Sequence, residues 1–220
     1  MPEPILIDAD VALKAACYDL GAETVAATRA DGLPPAILDV CRFVVRGRLR
    51  RRGTVGDPAR AAASFERMLR AMSLVEPDDA QLAAAADLEA EATRLDLELD
   101  AGESQLLAIL ASRGGRALVT GDKRAIRAMA VVGRPHAEGR VVCLEQLMSH
   151  LVRVAGAATI RPHVCAEPAV DRSLTSCFGC SSAHVDGGEI LEALASYVRH
   201  LDHEAPGVLL PGGDLAAVPA

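Results

Sequence analysis

The stretch from Leu97 to Met129 restricts the possible folds of this chain more than any other part of its sequence. Leucines at helical spacing follow Glu103 and predict a helix that ends at the glycine pair 114–115. The apolar run 117–120 then predicts a short buried strand, and Asp122 begins the next helical pattern. In an open α/β sheet, ligands gather where strands end and helices begin, so we expect Glu103 and Asp122 to face one crevice.

Both acids also have a purely structural interpretation. Asp100 and Glu103 have the spacing of a capping box, and Asp122 is a suitable N-cap, each stabilising its helix by about 1 kcal/mol. Two carboxylates that face the same place repel each other unless a cation binds between them. Further acids at strand ends therefore decide between capping and metal binding.

Two more acids stand at candidate element boundaries. The apolar run 5–7 predicts a buried strand that ends at Asp8, and Asp10 is the expected N-cap of the following helix. This leaves Asp8 available to a metal ion. Asp39 lies in the segment 37–44, where apolar spacing after two prolines predicts a helix. A single helix acid is usually solvated, so Asp39 is of interest only together with the other acids.

Four segments resemble the motif blocks of the PIN-domain family of metal-dependent nucleases, in the family's order and spacing: ILIDAD, LPPAILDVCRF, LDAGESQLLAILA and ALVTGDKRAIRAMA. The resemblance covers roughly residues 5–147 and implies a three-layer α/β/α fold with a mostly parallel central sheet. It also implies that Thr120 supports a catalytic metal site made of four carboxylates, namely Asp8, Asp39, Glu103 and Asp122. The second block usually has glutamate and the third more often aspartate, so Asp100 is an alternative for Asp39 or Glu103.

The function implied by this resemblance is hydrolysis of phosphodiester bonds in single-stranded RNA. Oxygen ligands favour Mg²⁺ or Mn²⁺, which lower the pKa of a bound water and stabilise the leaving oxygen. One alternative is a binding module that keeps the fold and holds RNA or protein without catalysis. Another is a toxin nuclease that is silenced by an antitoxin partner.

The charge of the chain is segregated along its length. The net charge is −7, yet nine arginines lie between residues 42 and 70, and ten acids lie between residues 76 and 103. We interpret the block Arg46, Arg48, Arg50, Arg51 and Arg52 as a phosphate-binding surface near the acids, with a mobile loop as the alternative. With no Trp, two Tyr and three Phe, aromatic stacking is not expected to be the main means of base recognition.

Three cysteines and two histidines lie within residues 163–184. They suggest a structural zinc site made of Cys165, Cys177, Cys180 and either His163 or His184. The alternatives are free thiols in a loop, or a redox pair. In a chain with no secretory pattern, cysteines are expected to be thiols or metal ligands rather than disulfides.

The expected organisation is a nuclease-like domain over 1–152, a Cys/His-containing linker over 153–185, an amphipathic helix over 186–205 and a loose tail over 206–220. The helix is expected to bury its apolar stripe against the main domain or against a second copy in a homodimer. No apolar run reaches the roughly 18 residues of a membrane span, and the start of the chain lacks a signal-peptide pattern. A cytoplasmic location with no membrane contact is therefore expected.

Overall fold

A computed structural model describes residues 3–51, 55–213 and 215 of the chain. Within them, five short strands form one all-parallel sheet in the order β3-β2-β1-β4-β5. The strands are β1 (Leu6–Ile7), β2 (Ala36–Leu38), β3 (Ser73–Val75), β4 (Leu118–Thr120) and β5 (Val141–Cys143). The expected α/β class with a mostly parallel sheet is confirmed.

The register of the sheet brings the carboxyl ends of the strands to one edge. Leu6 lies opposite both Ala36 and Leu118, and Thr120 lies opposite Cys143. All residues of β1, β2, β4 and β5 are buried, as expected for parallel strands whose two faces are covered. Polar residues that follow these strands therefore meet at a single edge.

Twelve helices surround this sheet in the described part of the chain. They are α1 (Ala9–Cys17), α2 (Gly21–Ala27), α3 (Cys41–Leu49), α4 (Pro58–Arg70), α5 (Asp79–Arg94), α6 (Ala101–Arg113), α7 (Lys123–Val132), α8 (Arg134–Ala137), α9 (Leu144–Ala155), α10 (Ala157–Ala166), α11 (Arg172–Cys177) and α12 (Gly187–Glu204). Helices α1 to α4 pack among themselves, and so do α5 to α8. None of the described helices has the length and apolar character needed to cross a membrane.

Capping residues set most of the predicted helix starts. Asp57, Asp78, Asp100, Asp122 and Asp186 each accept a backbone N–H from the first turn of the helix that follows. The predicted N-caps Asp100 and Asp122 are confirmed. The predicted end of α6 is confirmed as well, because Gly114 adopts a φ of +67° that few other residues tolerate.

Two local predictions near the acids are wrong. Residues 36–38 form a central strand rather than a helix, so that Asp39 follows β2 and α3 begins only at Cys41. A short apolar run fits a buried strand as well as a helix, and burial from both sides decides for the strand. The first helix is capped by Asp8 rather than Asp10, because α1 begins one residue after Asp8.

The segment expected to be a linker is largely helical. It contains α10 and α11, whose buried side chains Ile160, Val164 and Leu174 belong to the same apolar core as the sheet. Part of the expected loose tail is also ordered. Val141 donates its N–H to Val208, and Leu210 donates to Val141, so that residues 208–210 lie along the free edge of β5. Residue 214 and residues 216–220 of that tail lie outside the described residues.

The cysteines differ from the expected zinc site. Cys165 and Cys180 form a disulfide, whereas Cys177 is a free thiol in the core. His163 bonds the carbonyl oxygen of Tyr18 through Nδ1 at 2.9 Å, and His184 is exposed. The difference arises because α10 and the turn after α11 bring the Cα atoms of Cys165 and Cys180 to 5.1 Å, while Cys177 faces inward. The four expected ligands therefore do not share one ion position.

Candidate acidic site

Asp8 is a buried carboxylate at the carboxyl end of β1. Its Oδ2 accepts the backbone N–H of Asp10 and the hydroxyl of Thr120, each at 3.3 Å. Burial, followed by the charge of Asp10, raises the pKa of Asp8 to about 6. None of the described cationic side chains pairs with this carboxylate. Asp8 thus carries an uncompensated charge when it is ionised.

Thr120, the last residue of β4, connects two of the acids. Its hydroxyl donates to Asp8 and accepts the backbone N–H of Asp122 at 3.2 Å. The next residue, Gly121, allows the Asp10 carboxylate to lie against the backbone of this turn, because a Cβ at this position would overlap that carboxylate. The turn after β4 therefore fixes the spacing between Asp8 and the start of α7.

Glu103 extends from the first turn of α6 toward the same edge. Its Oε2 accepts the backbone N–H of Asp100 at 3.1 Å, while Asp100 Oδ1 accepts the N–H of Glu103 at 3.0 Å. Burial first, and then the charges of Asp100, Asp8 and Asp122, raise the pKa of Glu103 to about 9. Because all three of these carboxylates act on Glu103, the four acids lie in one electrostatic neighbourhood.

Asp122 differs from Asp8 and Glu103 in having a cationic partner within the described part of the chain. Burial alone would raise its pKa, but hydrogen bonds from the side chain and backbone of Arg124 outweigh burial and lower it. The guanidinium of Arg124 lies 3.1 Å from Asp122 Oδ2 and also pairs with Glu98. Asp122 is therefore ionised and serves as the N-cap of α7 at the same time.

Asp39 follows the neighbouring strand β2 and has a cationic partner of its own. Its carboxylate pairs with Arg42 at 2.9 Å, and its backbone N–H donates to Val75. Asp100, and not Asp39, is among the main charges that raise the pKa values of Asp8 and Glu103. Asp8, Asp100 and Asp122 therefore all act on Glu103, whereas the carboxylate of Asp39 is paired with Arg42.

A half-buried lysine near the acids was not singled out from the sequence. Lys14 on α1 pairs with Asp10 at 2.7 Å and with Asp171 at 2.8 Å. Asp171 caps α11, so this pair joins the C-terminal segment to the helix that follows Asp8. On α7, Lys123 pairs with Glu145 at 2.6 Å. One sequence signal for Lys14 was its isolated charge within the apolar pattern of α1.

The arginine block lies along and after α3. Arg46 uses two nitrogens to bind Glu66, at 2.7 and 2.9 Å, so its guanidinium is already occupied. Arg48, Arg50 and Arg51 are exposed, and Arg52 lies outside the described residues. Because an α-helix rises about 1.5 Å per residue, Arg50 stands about 13 Å further along the axis of α3 than Cys41. Of the exposed arginines in this block, Arg48 is the nearest to the start of α3.

The donor types at the acidic edge fit a hard divalent cation, since all of them are carboxylate oxygens. In the described residues, however, no group of three or more Asp, Glu, His or Cys side chains has an arrangement that could hold a metal ion. Glu103 and Asp122 instead use their oxygens for backbone N–H groups at helix starts. Each carboxylate keeps a second oxygen that accepts no backbone N–H from the described residues, namely Oε1 of Glu103 and Oδ2 of Asp122, so a cation can bind there while the capping contacts remain.

Comparisons of the chain with protein-family models, with curated proteins and with solved structures found no match.

Proposed function

We propose that this protein is a divalent-metal-dependent nuclease that hydrolyses phosphodiester bonds at the acidic edge of its sheet. The observation that carries the proposal is the grouping of Asp8, Asp100, Glu103 and Asp122 where β1 and β4 end. Two of these carboxyl groups, Asp8 and Glu103, are buried and pair with no described cation. A cation from solution would relieve the repulsion that raises their pKa values.

Asp8, Glu103 and Asp122 would hold Mg²⁺ or Mn²⁺, with Asp100 as a further ligand. When bound, such an ion lowers the pKa of a water and stabilises the leaving oxygen of a phosphodiester. The contribution of the chain is to orient the ligands. Thr120 holds Asp8 in place from the end of β4, and the capping contacts keep Glu103 and Asp122 directed to the sheet edge.

Single-stranded RNA is the proposed substrate, and a three-layer PIN-like arrangement is the proposed fold. Both rest on the four sequence segments that resemble PIN-domain motif blocks. The five-stranded parallel sheet and its two groups of helices support the proposed layering. The exposed arginines of α3 support a polyanionic substrate, because guanidinium groups bind phosphate oxygens well.

The test is cleavage of end-labelled single-stranded RNA with Mn²⁺, with Mg²⁺ and with EDTA. We expect cleavage with either metal, none with EDTA, and at least a 100-fold loss in Asp8→Asn and Glu103→Gln. Glu192→Gln, an exposed change on α12, is the matched control and should cleave like wild type.

Two outcomes contradict the proposal. Cleavage by Asp8→Asn at the wild-type rate would show that this site is not responsible. Salt-sensitive RNA binding by the wild type without cleavage under any metal condition would indicate a binding module instead.

A further inference from the structure

The outward face of α3 exposes apolar side chains next to the acidic site. Val40, Phe43 and Val44 are 52%, 59% and 39% exposed, whereas the other two phenylalanines, Phe65 and Phe178, are fully buried. The side chain of Phe43 thus does not contribute to the apolar core. Exposed apolar side chains that form a continuous patch commonly mark a binding surface.

Phe43 forms one wall of a cleft of about 280 Å³ at the carboxyl ends of β2 and β3. Its other walls include Asp39, Val40, Glu76, Pro77 and Gln105. The cleft therefore combines apolar surfaces with carboxylate and amide groups that can form hydrogen bonds. The side-chain amide of Gln105 has no hydrogen-bond partner in the described part of the chain. A flat apolar ring with a polar edge, as in a nucleobase, matches this composition.

The cleft adjoins the acidic site through two helices. Gln105 lies two residues after Glu103 on α6, so one helix start supplies both a site acid and a cleft wall. At the start of α3, burial and then the charges of Asp8 and Asp100 raise the pKa of the Cys41 thiol to about 12. Phe43 lies two residues beyond Cys41 on the opposite, exposed face.

Arg42 provides a cation at the rim of the cleft. Its guanidinium carbon lies 4.7 Å from the centre of the Phe43 ring, and one nitrogen binds Asp39 at 2.9 Å. Its Nε is buried and has no hydrogen-bond partner among the described residues. Arg48, exposed six residues later on the same helix, adds a second positive charge. A nucleotide is a ligand that offers both a ring and a phosphate group to such a surface.

We propose that this cleft binds one base of single-stranded RNA beside the scissile phosphate, with the base stacked on Phe43 and its edge bound by Gln105. Asp39 and Glu76 are hydrogen-bond acceptors, so the cleft favours bases that carry an amino group over uracil. The proposal rests on the proposed function, because it assumes that the chain binds RNA.

The test is binding of fluorescently labelled A, C and U oligoribonucleotides to the full chain, measured by anisotropy in EDTA, where hydrolysis is absent. We expect the A and C oligomers to bind more tightly than the U oligomer. Phe43→Ala should weaken binding of the A oligomer about 10-fold, and Phe43→Trp should retain it. Gln105→Ala should weaken binding of the A oligomer, and Glu76→Ala, which removes an acceptor, should reduce the difference between A and U.

The matched control is Val131→Ala, which truncates an equally exposed valine on α7, away from the cleft. Unchanged A-oligomer binding in Phe43→Ala would overturn the proposal, and so would a change only in self-association, measured by sedimentation. RNA binding that depends on Phe43, without cleavage by the wild type in Mn²⁺, would support the cleft and overturn the nuclease. Absence of RNA binding by the wild type would overturn both.

Discussion

Asp8 and Glu103 at the acidic edge are buried without a cationic partner among the described residues, so their ionised forms destabilise the folded protein. The pKa values of Asp8 and Glu103 lie at about 6 and about 9, above their ordinary values of 3.8 and 4.5. As the pH rises, the unfolded chain releases these protons first while the folded chain retains them. The protein without metal therefore loses stability between about pH 4 and 6 through Asp8, and up to about pH 9 through Glu103.

We expect Asp8→Asn to remove the first part of this loss. Above pH 6 in EDTA, the variant should be more stable than wild type by on the order of 2 kcal/mol, because asparagine keeps the N-cap without the buried charge. Urea unfolding between pH 4 and 8 measures the difference. Adding Mn²⁺ should stabilise the wild type more than the variant. A wild-type free energy of unfolding that stays constant from pH 4 to 8 would contradict this prediction.

Asp100 and Asp39 are expected to contribute differently to metal binding. Asp100 acts on Asp8 and Glu103, whereas Asp39 is paired with Arg42. Asp100→Asn should therefore weaken Mn²⁺ binding at least 5-fold in calorimetric titration, and Asp39→Asn should weaken it less than 2-fold. Asparagine still caps α6, so a folding defect does not explain the expected loss. The opposite order would restore Asp39 to the site that the sequence resemblance implied.

At the scale of secondary structure, local signals explain which elements were predicted correctly. The starts of α6, α7 and α12 depend on an aspartate cap, which a sequence displays directly. The strand β2 has only three residues and no alternating pattern, so its type depends on the strands beside it. Helix α10 has proline inside it and is stabilised by packing of Ile160 and Val164, which the sequence does not display.

In the candidate site, too, local sequence signals were visible and tertiary contacts were not. Asp8, Glu103 and Asp122 were found because each follows a strand or begins a helix. The contact between Lys14 and Asp171 joins residues far apart in the chain, and it depends on how α11 docks against α1. No periodicity or spacing reports such a contact.

Glu167, at the end of α10, binds the segment that leads into α4. Its buried carboxylate accepts the N–H groups of Gly56 and Asp57, at 2.7 and 3.0 Å, and pairs with Arg60. We expect Glu167→Ala to lower the free energy of unfolding by about 2 kcal/mol, because two backbone N–H groups and Arg60 lose a buried, charged acceptor. The measurement is urea unfolding at neutral pH.

Glu66→Ala is the control for this prediction. It removes the half-exposed ion pair with Arg46 and should cost less than about 1 kcal/mol. Equal losses in the two variants would show that Glu167 does not anchor the loop that follows α3.

At the scale of the whole molecule, the C-terminal segments are part of the fold rather than an appendage. Side chains of α10, α11 and α12 share one apolar core with the sheet, including Ile160, Leu174, Phe178 and Leu194. From the sequence, these segments were predicted to be separate from the main domain because the resemblance ends near residue 147. In the structure, their apolar side chains are buried in the same core as the sheet. The disulfide between Cys165 and Cys180 closes the loop that carries Asp171 and Ser173 to Lys14 and Lys123.

The disulfide between Cys165 and Cys180 is expected to stabilise the fold. It closes a loop across a sequence separation of 15 residues, for which the chain-entropy model gives about 3 kcal/mol of stabilisation. Reduction with dithiothreitol should therefore lower the thermal unfolding midpoint of the wild type by several degrees. Cys165→Ser should show the lower midpoint without reductant and no further decrease with it. If dithiothreitol lowers the midpoints of both proteins equally, the decrease does not arise from this bond, and the docking of α11 depends on its ion pairs and buried side chains alone.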